Sequence, residues 1–232
     1  SMSDVFTFND GNEKITLRYD LSSPLSRFVA QNYRELPFPY KRYAIGNVWR
    51  NEKSGNARYR EFTQADVDII GNINKSQADA EICNIIADTL IKSGLSDNQF
   101  KVSISNRKIV QGLINNLKIT NKVQELKVIR AIDKLDRIGL KGVEDLLKKE
   151  RVDTSGAITK GANLSDTQAS EILNFLKINN LKDLKSILKN SLSVEGIKET
   201  EDLLEIISYG KYAKLIQPNF TIVRGLAYYD GF

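Results

Sequence analysis

Arg50 and Glu52 stand two apart, and beyond a Lys-Ser-Gly-Asn loop Arg58, Arg60, Phe62, Gln64, Asp66 and Asp68 follow at every second position. In an extended chain, residues at that spacing share a face. The stretch 43–71 therefore reads as two antiparallel arms, with a Gly and an Asn suited to the turn between them. On the first arm Ala44, Gly46 and Val48 fall on the same face as Arg50 and Glu52. A guanidinium forks onto carboxylate or phosphate, an aromatic ring stacks a base, and an amide or carboxylate accepts from an amine. Plain solvation would tolerate any polar residue, whereas this mixture suits a ligand bearing an anion, a ring and an amine. The opposite face, with Tyr43, Ile45, Trp49, Thr63, Ala65, Val67 and Ile69, is the one expected to pack.

Composition narrows the chemistry. The chain has 232 residues, 41% hydrophobic and 27% charged, with a single cysteine and no histidine. Those proportions describe a globular protein, and no apolar run approaches the roughly 18 residues of a membrane span, so a cytoplasmic location is expected. One cysteine, Cys83, makes no internal disulfide, and without histidine few soft-metal ligands remain; no metal site is expected. The absence of histidine also removes Ser-His-Asp, Cys-His and histidine-based acid–base catalysis. Any reaction must rest on positioning and charge. A net charge of +5 and a pI near 9.1 mildly favour a polyanionic partner, or simply a lysine-rich solvated surface.

The elements that must hold the hairpin are legible in outline. Phe6–Phe8 and Ile15–Tyr19 read as short strands around an Asn-Asp-Gly-Asn turn. Asp20 and Ser22 follow, and Pro24 opens a helix. A helix is expected over 76–93, a strand over 100–105 and a helix over 109–117. From 107 to 208 lysine-, leucine- and asparagine-rich helices are expected at 123–135, 142–150, 167–178, 181–188 and 197–209, with 154–163 a flexible loop. Strand character returns at 217–232. The expected organisation is thus a core over 1–106, a helical insertion over 107–208 and a return to the core over 209–232.

Read together, Leu17-Arg18-Tyr19-Asp20-Leu21-Ser22-Ser23-Pro24, the 49–68 hairpin and Val223-Arg224-Gly225-Leu226-Ala227-Tyr228-Tyr229 resemble the class II histidyl-tRNA synthetase catalytic domain. The resemblance runs along nearly the whole chain. The hairpin looks like motif 2 of that class, and Arg224-Gly225-Leu226 with Tyr228-Tyr229 looks like the signature particular to the histidyl enzymes. The implied fold is α+β, an antiparallel sheet flanked by helices with an inserted helical subdomain. The implied activity joins histidine to ATP, with Mg, as histidyl-adenylate, then transfers the histidyl group to tRNA(His) in a homodimeric enzyme.

The resemblance also implies roles. Arg50 would hold the α-phosphate and substrate carboxylate, with Arg224 opposite it as a second, electrostatic catalyst. Glu52 would accept from the adenine amine and Phe62 stack its ring, while Arg58 and Arg60 would contact the triphosphate or the tRNA end. Asp20, Ser22 and Gln64 would bind the α-ammonium; Asp68 and Tyr229 would grip the imidazole beside Tyr228. A bland alternative stands beside several: Asp20 as a cap for the Pro24 helix, Arg224 as an edge ion pair, the tyrosines as core and surface aromatics.

Aspartates at 20 and 68, where some members carry Glu, shorten the reach by about one methylene. Ser22 stands where Thr is common, and Ala227 where Asp is common. Motif 1 would precede Ser1 and motif 3 would follow Phe232, so a piece of a catalytic domain, inactive alone, is expected. Two other readings stay open: a synthetase-like regulatory subunit of ATP phosphoribosyltransferase, sensing histidine, and a basic nucleic-acid-binding module.

Overall fold

Turn chemistry opens the chain: β1 (Thr7–Asp10) and β2 (Glu13–Thr16) pair antiparallel, Asp10 opposite Glu13. In a computed structural model, residues 5–52, 55, 58–152, 156, 158–223 and 231–232 are described. The chain divides into two compact units, Ser1–Asn74 and Lys75–Phe232.

In the first unit α1 (Ser22–Asn32) carries Pro24 in its first turn, where a missing N–H costs nothing. The Asp20 carboxylate accepts from the Ser23 N–H at 2.8 Å. Leu25 and Val29, one turn apart, are buried with Leu21. The hairpin follows as β3 (Tyr40–Trp49) and β4 (Glu61–Ile70), in a register that sets Arg42 opposite Asp68, Ala44 opposite Asp66, Gly46 opposite Gln64 and Val48 opposite Phe62.

Alternation holds along both strands, but the face expected to pack is the open one. Tyr43 is 78% exposed, Ile45 70% and Val67 41%, while Val48 is fully buried and Gln64, Asp66 and Asp68 are half-buried. The reason is the chain after β2. The Arg18 carbonyl accepts from the Trp49 N–H at 2.9 Å, and Arg18 Nε donates to the Asn47 carbonyl at 2.7 Å. A Cβ on Gly46 would come within 3.1 Å of Arg18 Nη2 and 3.6 Å of Leu21 Cδ2, so glycine lets residues 18–21 lie against the polar-lined face.

In the second unit α2 (Lys75–Lys92) leads to β5 (Val102–Ile104) and α3 (Arg107–Asn116). Then come α4 (Lys122–Ile132), α5 (Leu135–Lys148), which breaks at Gly139, and a short antiparallel pair, β6 (Glu150–Val152) with β7 (Ile158–Lys160). The loop expected over 154–163 thus contains a strand; three residues are too few to show a period. Next are α6 (Asp166–Phe175), α7 (Leu181–Ile187) and α8 (Ser191–Ser208), and a 3-10 turn leads to β8 (Ile216–Pro218). Helices α3 and α8 pack so closely that a Cβ on Gly112 would meet the Ser193 Cβ at 2.5 Å. Ile109, Val128, Leu147, Phe175, Leu184 and Ile197 belong to one buried cluster built across these helices.

Among the described residues the strands pair only two by two, and β5 with β8 is parallel, so the antiparallel part is a set of hairpins and not one continuous sheet. Residues 75–106 group by contact with the helices that follow.

Candidate functional site

Arg50, just past the end of β3, is the centre of the hairpin face. Its guanidinium carbon lies 4.4 Å from the Tyr19 ring centroid and 5.0 Å from that of Phe62, between two aromatic rings. Its Nε donates to the Tyr19 carbonyl at 3.3 Å. Stacking of this kind orients the planar fork without neutralising it, leaving an oriented cation for an anion. Glu52 is engaged by Arg58 Nε at 3.5 Å and by the Tyr19 hydroxyl at 3.5 Å. Arg60 donates to Asn51 and stacks 4.8 Å from the Phe6 ring. The structure therefore links Arg50 and Glu52 to Tyr19, Phe62 to Arg50 and Arg58 to Glu52, and turns Arg60 towards Asn51 and Phe6.

Farther along the same face, the other charges gather at the hairpin base. Arg42 Nη2 lies 2.9 Å from Asp68 Oδ2 and donates to the Leu21 carbonyl at 3.1 Å. Asp66, between Gln64 and Asp68, has its carboxyl held above the usual range by burial first, then by the Asp68 and Asp20 carboxylates, with Arg42 and Arg50 opposing. Gln64 Oε1, Arg42 Nε and Asp68 Oδ2 are buried without an aligned hydrogen-bond partner among the described residues; the Arg42–Asp68 approach is an ion pair at a poor hydrogen-bond angle. Buried polar atoms are nearly always bonded, so Gln64 Oε1 and Arg42 Nε, beside an imperfectly aligned ion pair, mark a face that a polar ligand can complete.

Asp20 caps α1, as its bland alternative required, with one oxygen; Ser22 is exposed at the first position of that helix. Arg224, Tyr228 and Tyr229 lie outside the described residues. Arg42, Tyr19 and Asp66 were missed as participants. Asp66 and Tyr19 were visible in the alternation and in the Arg18–Pro24 stretch, while Arg42 shows itself only through the pairing register. Among the described residues no group of three or more histidine, cysteine or acidic side chains could hold a metal ion. Burial, then the Asp79 carboxylate, pushes the Cys83 thiol up to about 11, which leaves it protonated and unreactive. No described helix is long and apolar enough to cross a membrane.

The histidyl-tRNA synthetase family profile matches residues 1–232. The chain belongs to the histidyl-tRNA synthetase family. It is 70% identical over 233 residues to a Pelagibacter ubique protein described as histidine–tRNA ligase, a match covering all of this chain and 50% of that one. A crystal structure described as histidyl-tRNA synthetase from Nostoc sp. PCC 7120 superposes with a TM-score of 0.77 at 25% identity, covering 98% of this chain and 50% of that one. A Bacillus halodurans structure, described as an ATP phosphoribosyltransferase regulatory subunit/histidyl-tRNA synthetase, gives 0.78 at 21% identity over 99% of this chain and 56% of that one, a likeness of fold. The chain thus spans about half the length of the synthetase relatives it matches. These likenesses give the mixed α and β fold of that family.

Proposed function

We propose that this chain carries the adenylate-forming face of a histidine–tRNA ligase. In the first reaction a carboxylate oxygen of histidine attacks the α-phosphorus of Mg-ATP, the bond to the β-phosphate breaks, and pyrophosphate leaves. In the second the terminal ribose hydroxyl of tRNA(His) attacks the acyl carbonyl and AMP leaves. Mg enters with the nucleotide as part of the substrate. Arg50 holds the substrate carboxylate and the α-phosphate, and gains most as charge builds on phosphorus. Glu52 and Phe62 take the adenine amine and ring, and Arg58 and Arg60 the triphosphate or the tRNA end. Asp20, Ser22 and Gln64 accept the α-ammonium, and Asp68 accepts from the imidazole. The roles of Arg224, Tyr228 and Tyr229 rest on the motif match alone. The complete enzyme is proposed to be a cytoplasmic homodimer.

The observation that supports this reading most is the pair of buried polar atoms without a hydrogen-bond partner among the described residues, Gln64 Oε1 and Arg42 Nε, next to the Arg42–Asp68 ion pair and a ring-flanked Arg50. Calorimetric titration of the chain with histidine, ATP and a non-hydrolysable histidyl-adenylate analogue tests it. Asp68→Ala is expected to weaken histidine more than ATP, and Arg50→Ala the reverse; equal losses in both contradict the assignment. Histidine binding with no response to ATP or to the adenylate analogue would instead favour a histidine sensor.

A further inference from the structure

Arg42 lies outside the motif that gave the other residues their tasks, yet its guanidinium touches both ends of the amino-acid site. It sits on β3 directly opposite Asp68 on β4. Its Nη2 is 2.9 Å from Asp68 Oδ2, with side chains only 19% and 21% exposed, and it donates at 3.1 Å to the carbonyl of Leu21. Leu21 lies between Asp20 and Ser22, and its side chain is buried at the hairpin face. The guanidinium is therefore a strut from the carboxylate proposed for the ring to the turn proposed for the α-ammonium.

The pair is poorly arranged for its own stability. Arg42 Nε has no partner among the described residues, and Asp68 Oδ2 meets Nη2 without hydrogen-bond alignment. A half-buried ion pair that served only the fold would gain from a bidentate fork, and many such pairs can be replaced by apolar side chains without loss. Here the geometry instead fixes the direction of Asp68 through one guanidinium approach without saturating it. An aspartate, one methylene shorter than a glutamate, needs its direction fixed if it is to meet a ring N–H.

We propose that Arg42 is a positioning residue for Asp68: it holds that carboxylate in direction and at a set distance from the Asp20–Ser22 turn, and so selects an α-amino acid whose side chain ends in an N–H donor at the imidazole's reach. This deepens the proposed function and rests on Asp68 being the ring acceptor. Arg42 acts through Asp68 and is not itself required to touch the ligand.

The test is a double-mutant cycle on the whole chain, with histidine and ATP affinities read by calorimetry and folding by thermal unfolding. Arg42→Met, which keeps the aliphatic stem, is expected to weaken histidine by about tenfold or more while ATP changes less than about twofold. Arg42→Lys, which keeps the charge but not the planar fork, recovers part of the loss. In an Asp68→Asn background Arg42→Met has little further effect, under about twofold, because the group it acts through is gone. Losses that add in the double variant overturn the inference, as does a histidine affinity unchanged in Arg42→Met. If Arg42→Met does not fold, Arg42→Lys decides: wild-type histidine affinity in it overturns the inference. A wild-type chain that does not bind histidine overturns the proposed function and this inference together, whereas a wild type that binds, with additive losses, overturns the inference alone.

Discussion

In the Lys75–Phe232 unit the buried residues Asn106, Glu125, Ser193 and Thr200 find partners, while Asn84 Oδ1 has none among the described residues. Asn106, with no exposure, accepts from the Lys108 N–H at 3.0 Å and donates to Glu199 at 2.7 Å, and Lys108 binds Glu195 at 2.7 Å as well as Glu199. Ser165 and Gln168 close a reciprocal capping box at the start of α6. In the Ser1–Asn74 unit Leu21, Leu25, Val29 and Val48 make up the described buried apolar set, Tyr43 and Ile45 lie open, and three polar atoms of the hairpin are buried without aligned partners. One region leaves a single buried polar atom, Asn84 Oδ1, open among the described residues. The other gathers its unsatisfied groups on one hairpin face, the proposed ligand face, which costs stability at rest.

That contrast is broken most visibly in the helical core. Phe175 is 1% exposed within the large cluster, and Phe175→Ala is expected to cost about 3–5 kcal/mol, a fall in Tm of roughly 10 °C by calorimetry. A loss under about 1 kcal/mol would mean the cluster collapses around the gap and is looser than its burial implies. Next comes Asn106→Ala, which removes a helix cap and strips Glu199 of a donor; about 2 kcal/mol is expected. Its histidine affinity, measured well below the unfolding transition, should match wild type.

Gln64→Met sharpens the comparison from the other side. Because Gln64 Oε1 has no partner to lose among the described residues, stability should change by less than about 0.5 kcal/mol in chemical denaturation. Histidine affinity should nevertheless fall by about tenfold, since an acceptor for the α-ammonium is gone. A large stability loss with affinity retained would assign Gln64 to the fold.

How far the sequence alone reached follows the same division. Helices were legible because apolar residues at one-turn spacing are a local signal; the structure adds asparagine caps at 106, 121, 180 and 190. The hairpin was equally legible as alternation, yet its inward face was misjudged. Period 2 defines two faces and says nothing about which one the rest of the chain covers; Arg18 and Leu21 decide that, through a contact that Gly46 permits. The β6–β7 pair, three residues a side, is too short for periodicity to report. Of the proposed site, Arg50, Glu52, Phe62, Gln64 and Asp68 share the face that residue type and spacing single out, and their proposed roles come from the family resemblance. Arg42 was not singled out, because an ion pair across strands exists only once the register is set.

The smallest effect expected is electrostatic, and its sign differs between Asp66 in the first unit and Glu125 in the second. Burial raises the Asp66 carboxyl, the neighbouring Asp68 and Asp20 charges raise it further, and Arg42 and Arg50 only partly compensate. A carboxyl whose folded pKa lies above its unfolded value penalises folding while ionised; the penalty is present above the folded pKa and relieved as pH falls through it towards 3.8. Glu125 in α4 behaves oppositely: burial pushes it up, but hydrogen bonds from Gln111 and Lys122 outweigh that and hold it low, so its contribution is lost on acidification. Asp66→Asn should therefore raise Tm at pH 7 by about 1 °C, a gain that shrinks to nothing near pH 4, whereas Glu125→Gln should lower Tm at pH 7 and matter less in acid. Histidine should reverse the Asp66 sign, because the carboxylate excess that burdens the empty face is the charge that a bound ammonium relieves. A lower Tm for Asp66→Asn at pH 7 without ligand would mean that this carboxylate is already paired within the chain, and the hairpin face would lose the excess negative charge on which its attraction for an ammonium rests.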